Sequence, residues 1–251
     1  MIRNNLYWIW YIKESVLTTL DFYRRSIIEK VIPSYSSIET EAQEIKEQEY
    51  DRLMSLPSDG YGPDPSDLAE RAFDEGLHYS EFMHDMLQGI MNLSAVGLHH
   101  LLEQHLILFL RKELLTLQEE RDLSTITGER VKRILSFEEA RKRLEAHGIE
   151  IVKFSCWSKI RELRLVANAV KHAEGDACEQ LKLCRPELFV HPMVFHSSKV
   201  PVGPVLSPLS GEDIYVTKEK FEEYVNSVRE FWKELIEALQ LQGPTDTTYR
   251  I

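Results

Sequence analysis

Five polar side chains between positions 161 and 172 have the types and spacing to act on an anion: Arg161, Arg164, Asn168, Lys171 and His172. At about 100° per residue, helical offsets of three and four place them on one stripe. Arginine grips a phosphate with paired hydrogen bonds, lysine adds a point charge, histidine moves a proton near neutral pH, and asparagine orients its neighbours. The set suits a phosphodiester, above all in RNA, which carries its own nucleophile in the 2′-hydroxyl and so needs neither a metal nor a covalent residue. Trp157 lies near the stripe by helical angle and could stack on a base; as a partly buried core aromatic it would have no such role. A purely structural use of the stripe also exists. Lys171 and His172 in a last helical turn complement the helix dipole, while Asn168 and Arg164 could bond neighbouring helices.

The helix that holds these residues is written into the same stretch. Ile160, Leu163, Val166, Ala167 and Val170 share a sector about 130° away and form a core-facing pattern. Gly175 offers the left-handed position that closes such a helix, which leaves Lys171 and His172 in its last turn. Upstream, a very apolar segment from about Ser80 to Leu117 predicts a long central helix, with Gly89, Ser94, Ala95 and Gly97 allowing close approach by a neighbour. Within it, His99-His100-x-x-Glu103-Gln104-His105 invites a metal reading. Bundle metal sites need matching ligands from a second helix, and no second Glu-x-x-His is present. Buried, hydrogen-bonded polar groups are the plainer reading, and Glu103 could face the Arg164/His172 stripe. No metal or other cofactor is expected.

The remaining elements follow in order. Residues 3–31 predict a helix with a broad apolar surface, ended by Pro33. Glu39 to Leu56 predicts a charged, solvated helix. Pro57 to Pro65 is a breaker-rich loop, after which Ser66-Asp67 should cap a new helix. Ser124–Gly128 is a polar break, followed by helical segments at Arg130–Ile134 and Ser136–His147. Ser136-Phe-Glu-Glu139 reads as a capping box, repeated by Asp176-Ala-Cys-Glu179. Ile149–Phe154 alternates like a short extended connection. Residues 190–213 form a Pro-rich insertion, with His191 and His196 as loop residues and a short hairpin as one option. Thr217 should cap a last amphipathic helix that Gly243-Pro244 ends. The expected architecture is all-α: a helical bundle over 66–251 with that insertion, preceded by an acidic N-terminal helical extension and loop over 1–65.

The 251 residues carry a net charge of −11, which ordinarily counts against nucleic-acid binding. The charge is uneven. Glu39 to Glu75 holds 12 acidic and 3 basic residues, whereas Lys153 to His172 holds five Lys or Arg against Glu162 alone. The stripe can therefore attract phosphate locally, and the acidic segment could instead serve a protein partner. Cys156, Cys178 and Cys184 have no C-x-x-C spacing and read as reduced structural thiols. No signal peptide is read, no uninterrupted apolar run approaches bilayer length, and a cytoplasmic protein is expected. Gly-rich phosphate loops, nucleophile elbows and His-Glu-x-x-His are absent from the sequence.

Asn168-Ala-Val-Lys-His172, the Gly175 after it, and the long preceding helix with Leu102-Glu103-Gln104 together resemble the HEPN (higher eukaryote and prokaryote nucleotide-binding) superfamily. The resemblance covers about Ser66 to Leu241. It implies an RNA-directed bundle, in many members a metal-independent endoribonuclease of toxin–antitoxin or phage-defence systems, and in others a non-catalytic RNA- or partner-binding module. Active members bring two copies of the motif together, which implies a homodimer. The family motif is Arg, four to six residues, then His. Here Ala167 precedes Asn168, and the nearest upstream arginine, Arg164, stands seven residues before His172. Either Arg164 takes the catalytic arginine's place from one turn earlier, or that arginine is missing. On the first alternative Arg164 and His172 are catalytic, supported by Arg161, Asn168, Lys171, Glu103 and Trp157.

Overall fold

The computed structural model describes residues 2, 4–56, 64–123, 128–172, 175–190 and 213–243. Among these residues the chain is helical, with no strand. The loop expected at 57–65 lies outside them except for its last two residues. So do most of the break at 124–128, all but the two ends of the 190–213 insertion (His191 and His196 included), and the chain beyond Gly243.

The first helical run comprises α1 (Asn5–Tyr11), a π turn (Ile12–Val16), α2 (Leu17–Arg25), a second π turn (Ser26–Val31) and a 3₁₀ turn (Ile32–Tyr35) containing Pro33. α3 spans Ile38–Met54. α4 then runs unbroken from Pro65 to Phe109 and continues through a π turn to Leu114. Its start differs from the expected Ser66-Asp67 cap: Asp64 is the N-cap, accepting from the Ser66 amide at 2.9 Å, and Pro65 sits in the first turn, where its missing N–H costs nothing. Short helices α5 (Leu117–Leu123), α6 (Glu129–Ile134) and α7 (Phe137–Ala146) follow.

Ser136 caps α7 by accepting from the Glu139 amide at 3.1 Å, while the Glu139 side chain turns to Arg143 instead of completing the box. The far end of α7 closes at Gly148, with φ +81°. The Gly148 amide bonds Glu145 O and the Ile149 amide bonds Leu144 O, each at 2.9 Å. The extended connection expected over 149–154 is a 3₁₀ turn at Ile151–Lys153, which buries Ile151. α8 spans Trp157–His172 and α9 Asp176–Cys184. The second expected capping box does not form: Gly175, at φ +131° and ψ −178°, occupies the N-cap and offers no side chain. After a 3₁₀ turn at Pro186–Phe189, the described residues Ile214–Val216 form neither helix nor strand. Asn92 of α4 holds them, donating to Ile214 O at 2.6 Å and accepting from the Val216 amide at 3.2 Å. α10 (Lys218–Leu241) is capped by Thr217, which accepts from the Lys220 amide.

One core joins these pieces. α4 contributes Ala95, Leu98, Leu102, Leu106 and Phe109; α7 gives Phe137 and Leu144; α8 gives Ile160, Leu163 and Val166; α10 gives Phe221, Val225, Phe231 and Leu235. Trp8, Ile12, Val16 and Leu20 of the first run belong to the same core, and Arg24 pairs with Glu222 of α10 at 2.6 Å. The first run is thus packed into the bundle. α3 lies along the first part of α4, where Gly76 lets the backbones meet: a Cβ there would fall 2.7 Å from Ala42 O. Gly97 likewise makes room for the Tyr23 hydroxyl, which donates to Ser94 O at 2.8 Å, whereas Gly89 faces open space.

Pro65–Leu114 is long and apolar enough to cross a membrane by length and composition, at a mean hydropathy of 1.2 for its best window. Glu103 is the one Asp, Glu, Lys or Arg between Asp85 and Arg111, so the average rises although no apolar run is continuous. Of that window, 44% is buried inside the protein.

Candidate functional site

α8 is buried over about half of its circumference. Ile160, Leu163, Val166 and Ala167 pack inward as their spacing predicts, and Glu162 and Ala169 are buried on an adjoining sector. The remaining sector carries the polar stripe. Arg161, Arg164, Lys171 and His172 are exposed there, and Asn168 is half-buried. Arg161, Asn168, Lys171 and His172 form no hydrogen bond or ion pair among the described residues. Arg164 has no ion pair either; its guanidinium sits 5.8 Å from the centroid of the Phe137 ring. The four cationic or imidazole side chains therefore end in solvent with no internal acid bound to them, which leaves them available to an external anion.

Beneath the stripe is an aromatic stack that sequence reading missed. Phe137 of α7 stacks on Trp157 at 6.1 Å and 26°, and on the His99 ring of α4 at 6.4 Å and 28°. Trp157 is half-buried, so it is anchored on its Phe137 side and partly open to solvent. His99 is only 4% exposed, and neither ring nitrogen has a hydrogen-bond partner among the described residues. Burial, then the charges of Lys171 and Arg164, pulls its pKa down to about 4, so the ring is neutral at physiological pH. His99 and Phe137 are 38 positions apart. The only sequence signal was the apolar face of α4, where His99 follows Leu98 one position on.

Glu103 is half-buried and bonds neither Arg164 nor His172. His100 is exposed, and His105 is a core-edge residue between the Tyr11 hydroxyl, 3.4 Å from its Nδ1, and the edge of Trp232. The His99–His105 segment thus points in several directions. Among the described residues no three His, Cys, Asp or Glu side chains converge to hold a metal ion. Cys156 and Cys178 are buried and Cys184 is exposed. Burial, aided by Glu234, pushes the Cys156 thiol up to about 12, the opposite of a reactive cysteine.

The other polar flank of α8 is closed. Glu162 accepts from Arg185 Nε at 2.7 Å and from the Tyr224 hydroxyl at 2.9 Å, with Lys159 at 3.3 Å and Lys220 at 3.6 Å. Burial alone would raise its carboxyl, but these partners outweigh burial and hold it below the usual carboxylate range. Lys159 and Lys220 also bind Glu223, completing a network that fastens α8 to α9 and α10.

Compared with protein-family models, curated proteins and solved structures, the chain matches none.

Proposed function

We propose that this chain is an HEPN-like, RNA-directed protein that binds single-stranded RNA along the open stripe of α8 and cleaves it without a metal. The observation that carries this reading is the exposure of Arg161, Arg164, Lys171 and His172 together on one helix face, unpaired among the described residues, in a chain of net charge −11. A protein with so many acids to spare leaves these cations free. In this reading Arg161, Arg164 and Lys171 hold phosphates, Asn168 orients the phosphodiester, and Trp157 stacks on a base from its open side. Glu103 lends support at the edge of the stripe.

The reaction follows from RNA's own chemistry. The 2′-oxygen attacks the adjacent phosphorus as its proton passes to a base; the bond to the 5′-oxygen breaks, and that oxygen receives a proton from an acid. The products are a 2′,3′-cyclic phosphate and a 5′-hydroxyl. His172 serves one of these roles and His172 of a second copy the other, with Arg164 neutralising charge that builds on the phosphoryl oxygens. A homodimer and a cytoplasmic role in a prokaryotic toxin or phage-defence system belong to the same proposal. In EDTA the purified protein is expected to cut single-stranded RNA, and His172→Ala to abolish cutting with the helical circular-dichroism signal unchanged. Equal cutting by both proteins removes the catalytic reading.

A second reading is a non-catalytic interaction module. It is favoured by Leu6, Tyr7 and Trp10, which are exposed on α1 while Trp8 is buried, and by the acidic surface of α3. Removing residues 1–60 cannot test it, because Trp8, Ile12, Val16 and Leu20 are core. Tyr7→Ala with Trp10→Ala does: loss of protein-partner capture with RNA binding intact supports this module.

A further inference from the structure

A buried imidazole whose two nitrogens find no partner among the described residues is a costly feature, because it gives up its hydrogen bonds to water and gains none in return. His99 occupies a place where leucine would pack, between core residues Ala95, Leu98 and Leu102 on the same helix. Its ring is held against Phe137, and Phe137 also carries the Arg164 guanidinium. Among the described residues, the charged or titratable groups acting on His99 are Lys171 and Arg164 from α8 and His100 from α4, with no carboxylate among them. On α7, Glu138 beside Phe137 is paired with Arg141 at 2.6 Å and also feels the charge of Arg164 without an ion pair to it, and Glu103, one turn along α4, has no ion pair among the described residues. The imidazole is therefore kept neutral by burial and by two cations that form no ion pair among the described residues.

We infer that Arg164, Lys171 and His99 form one proton-linked phosphate site at the seam between α4 and α8: an anion docking on the two cations is coupled to proton uptake by the imidazole below them. The phosphate brings negative charge directly onto the two cations, and the field that opposed protonation is reduced. A protonated ring then adds a third positive charge beneath the anion. By reciprocity, protonation strengthens phosphate binding as much as phosphate binding strengthens protonation. His99 is a positioning residue here, because Phe137 and its own burial keep it from touching the ligand. The inference deepens the RNA reading of α8 and rests on it only for the source of the phosphate.

The test is an NMR titration of the His99 ring in the full chain from pH 4 to 7. It is run without ligand, with pyrophosphate, and with a single-stranded oligodeoxynucleotide that binds through phosphodiesters but has no 2′-hydroxyl to react. The His99 midpoint is expected to rise by about one pH unit or more with either probe, and affinity to grow by up to about tenfold per pH unit between the free and bound midpoints. His99→Gln assigns the signal and should flatten that dependence. The surface variant Arg164→Ala/Lys171→Ala, which has little reason to unfold, should raise the ligand-free midpoint and abolish the response to both probes. An unchanged midpoint with both probes overturns the inference, as does a response that persists in the double variant. If pyrophosphate moves His99 while RNA neither binds nor is cut, the site stands and the RNA reading falls. If RNA is cut while neither probe moves His99, the inference falls alone.

Discussion

On one flank of α8 the Glu162 carboxylate is sealed at 5% exposure and bound by Arg185, Tyr224, Lys159 and Lys220. On the other flank Arg161, Arg164, Lys171 and His172 are exposed with no ion pair among the described residues, above an imidazole whose nitrogens have no hydrogen-bond partner among them. Both flanks are rich in charge, so charge alone does not mark function. Satisfaction separates them: the closed flank consumes its hydrogen-bonding capacity inside the protein, and the open flank leaves it for something outside.

The largest effect that can sharpen this contrast belongs to the closed flank. Glu162→Ala is expected to destabilise the fold by about 2–3 kcal/mol, toward the low end for a broken buried ion pair because the cations left behind can recover some solvent. Urea denaturation measures it, and a loss below about 0.5 kcal/mol would show that the network holds nothing together.

His99 gives the next effect, through pH. Its pKa is about 4 in the folded protein against 6.5 for a free imidazole, so between those values the unfolded chain binds a proton that the folded chain refuses. Stability contributed by this residue is complete above the upper value, is lost as pH falls toward the lower, and changes no further below it. The full loss amounts to roughly 3 kcal/mol. His99→Leu should remove that slope and match or exceed wild-type stability at pH 5. A wild-type slope retained in His99→Leu contradicts the buried, neutral ring.

Smaller still is Arg164→Ala, expected to cost about 0.5–1 kcal/mol through the lost contact with Phe137. Arg161→Ala, Lys171→Ala and His172→Ala should each stay within about 0.5 kcal/mol of wild type by thermal unfolding. A large loss at any of these three would mean that the open flank is structural after all.

The open flank was legible in the sequence because helical spacing alone decides which side chains share a face. The core faces of α8 and α10 were legible for the same reason. The closed flank was not: Glu162 stands as a single acid among cations, and its partners Arg185, Lys220 and Tyr224 come from other helices. The stack of His99, Phe137 and Trp157 depends on three helices meeting and has no local signature. Asp176-Ala-Cys-Glu179 matched a capping pattern that the chain does not use, because Gly175 places the start of α9 one residue early. The first helical run read as an extension because the breaker cluster Pro57–Pro65 sets it apart in sequence; in space Trp8 packs into the common core while Tyr7 and Trp10 remain outside.

The most direct measurement of what the open flank is for is the salt dependence of single-stranded RNA affinity, wild type against Arg161→Ala/Arg164→Ala/Lys171→Ala. With three phosphate contacts removed, the slope of log affinity on log salt should flatten by about 2, and binding at low salt should weaken sharply. An RNA affinity and slope unchanged by the triple substitution, in a protein that remains folded, would contradict the assignment of this face to RNA.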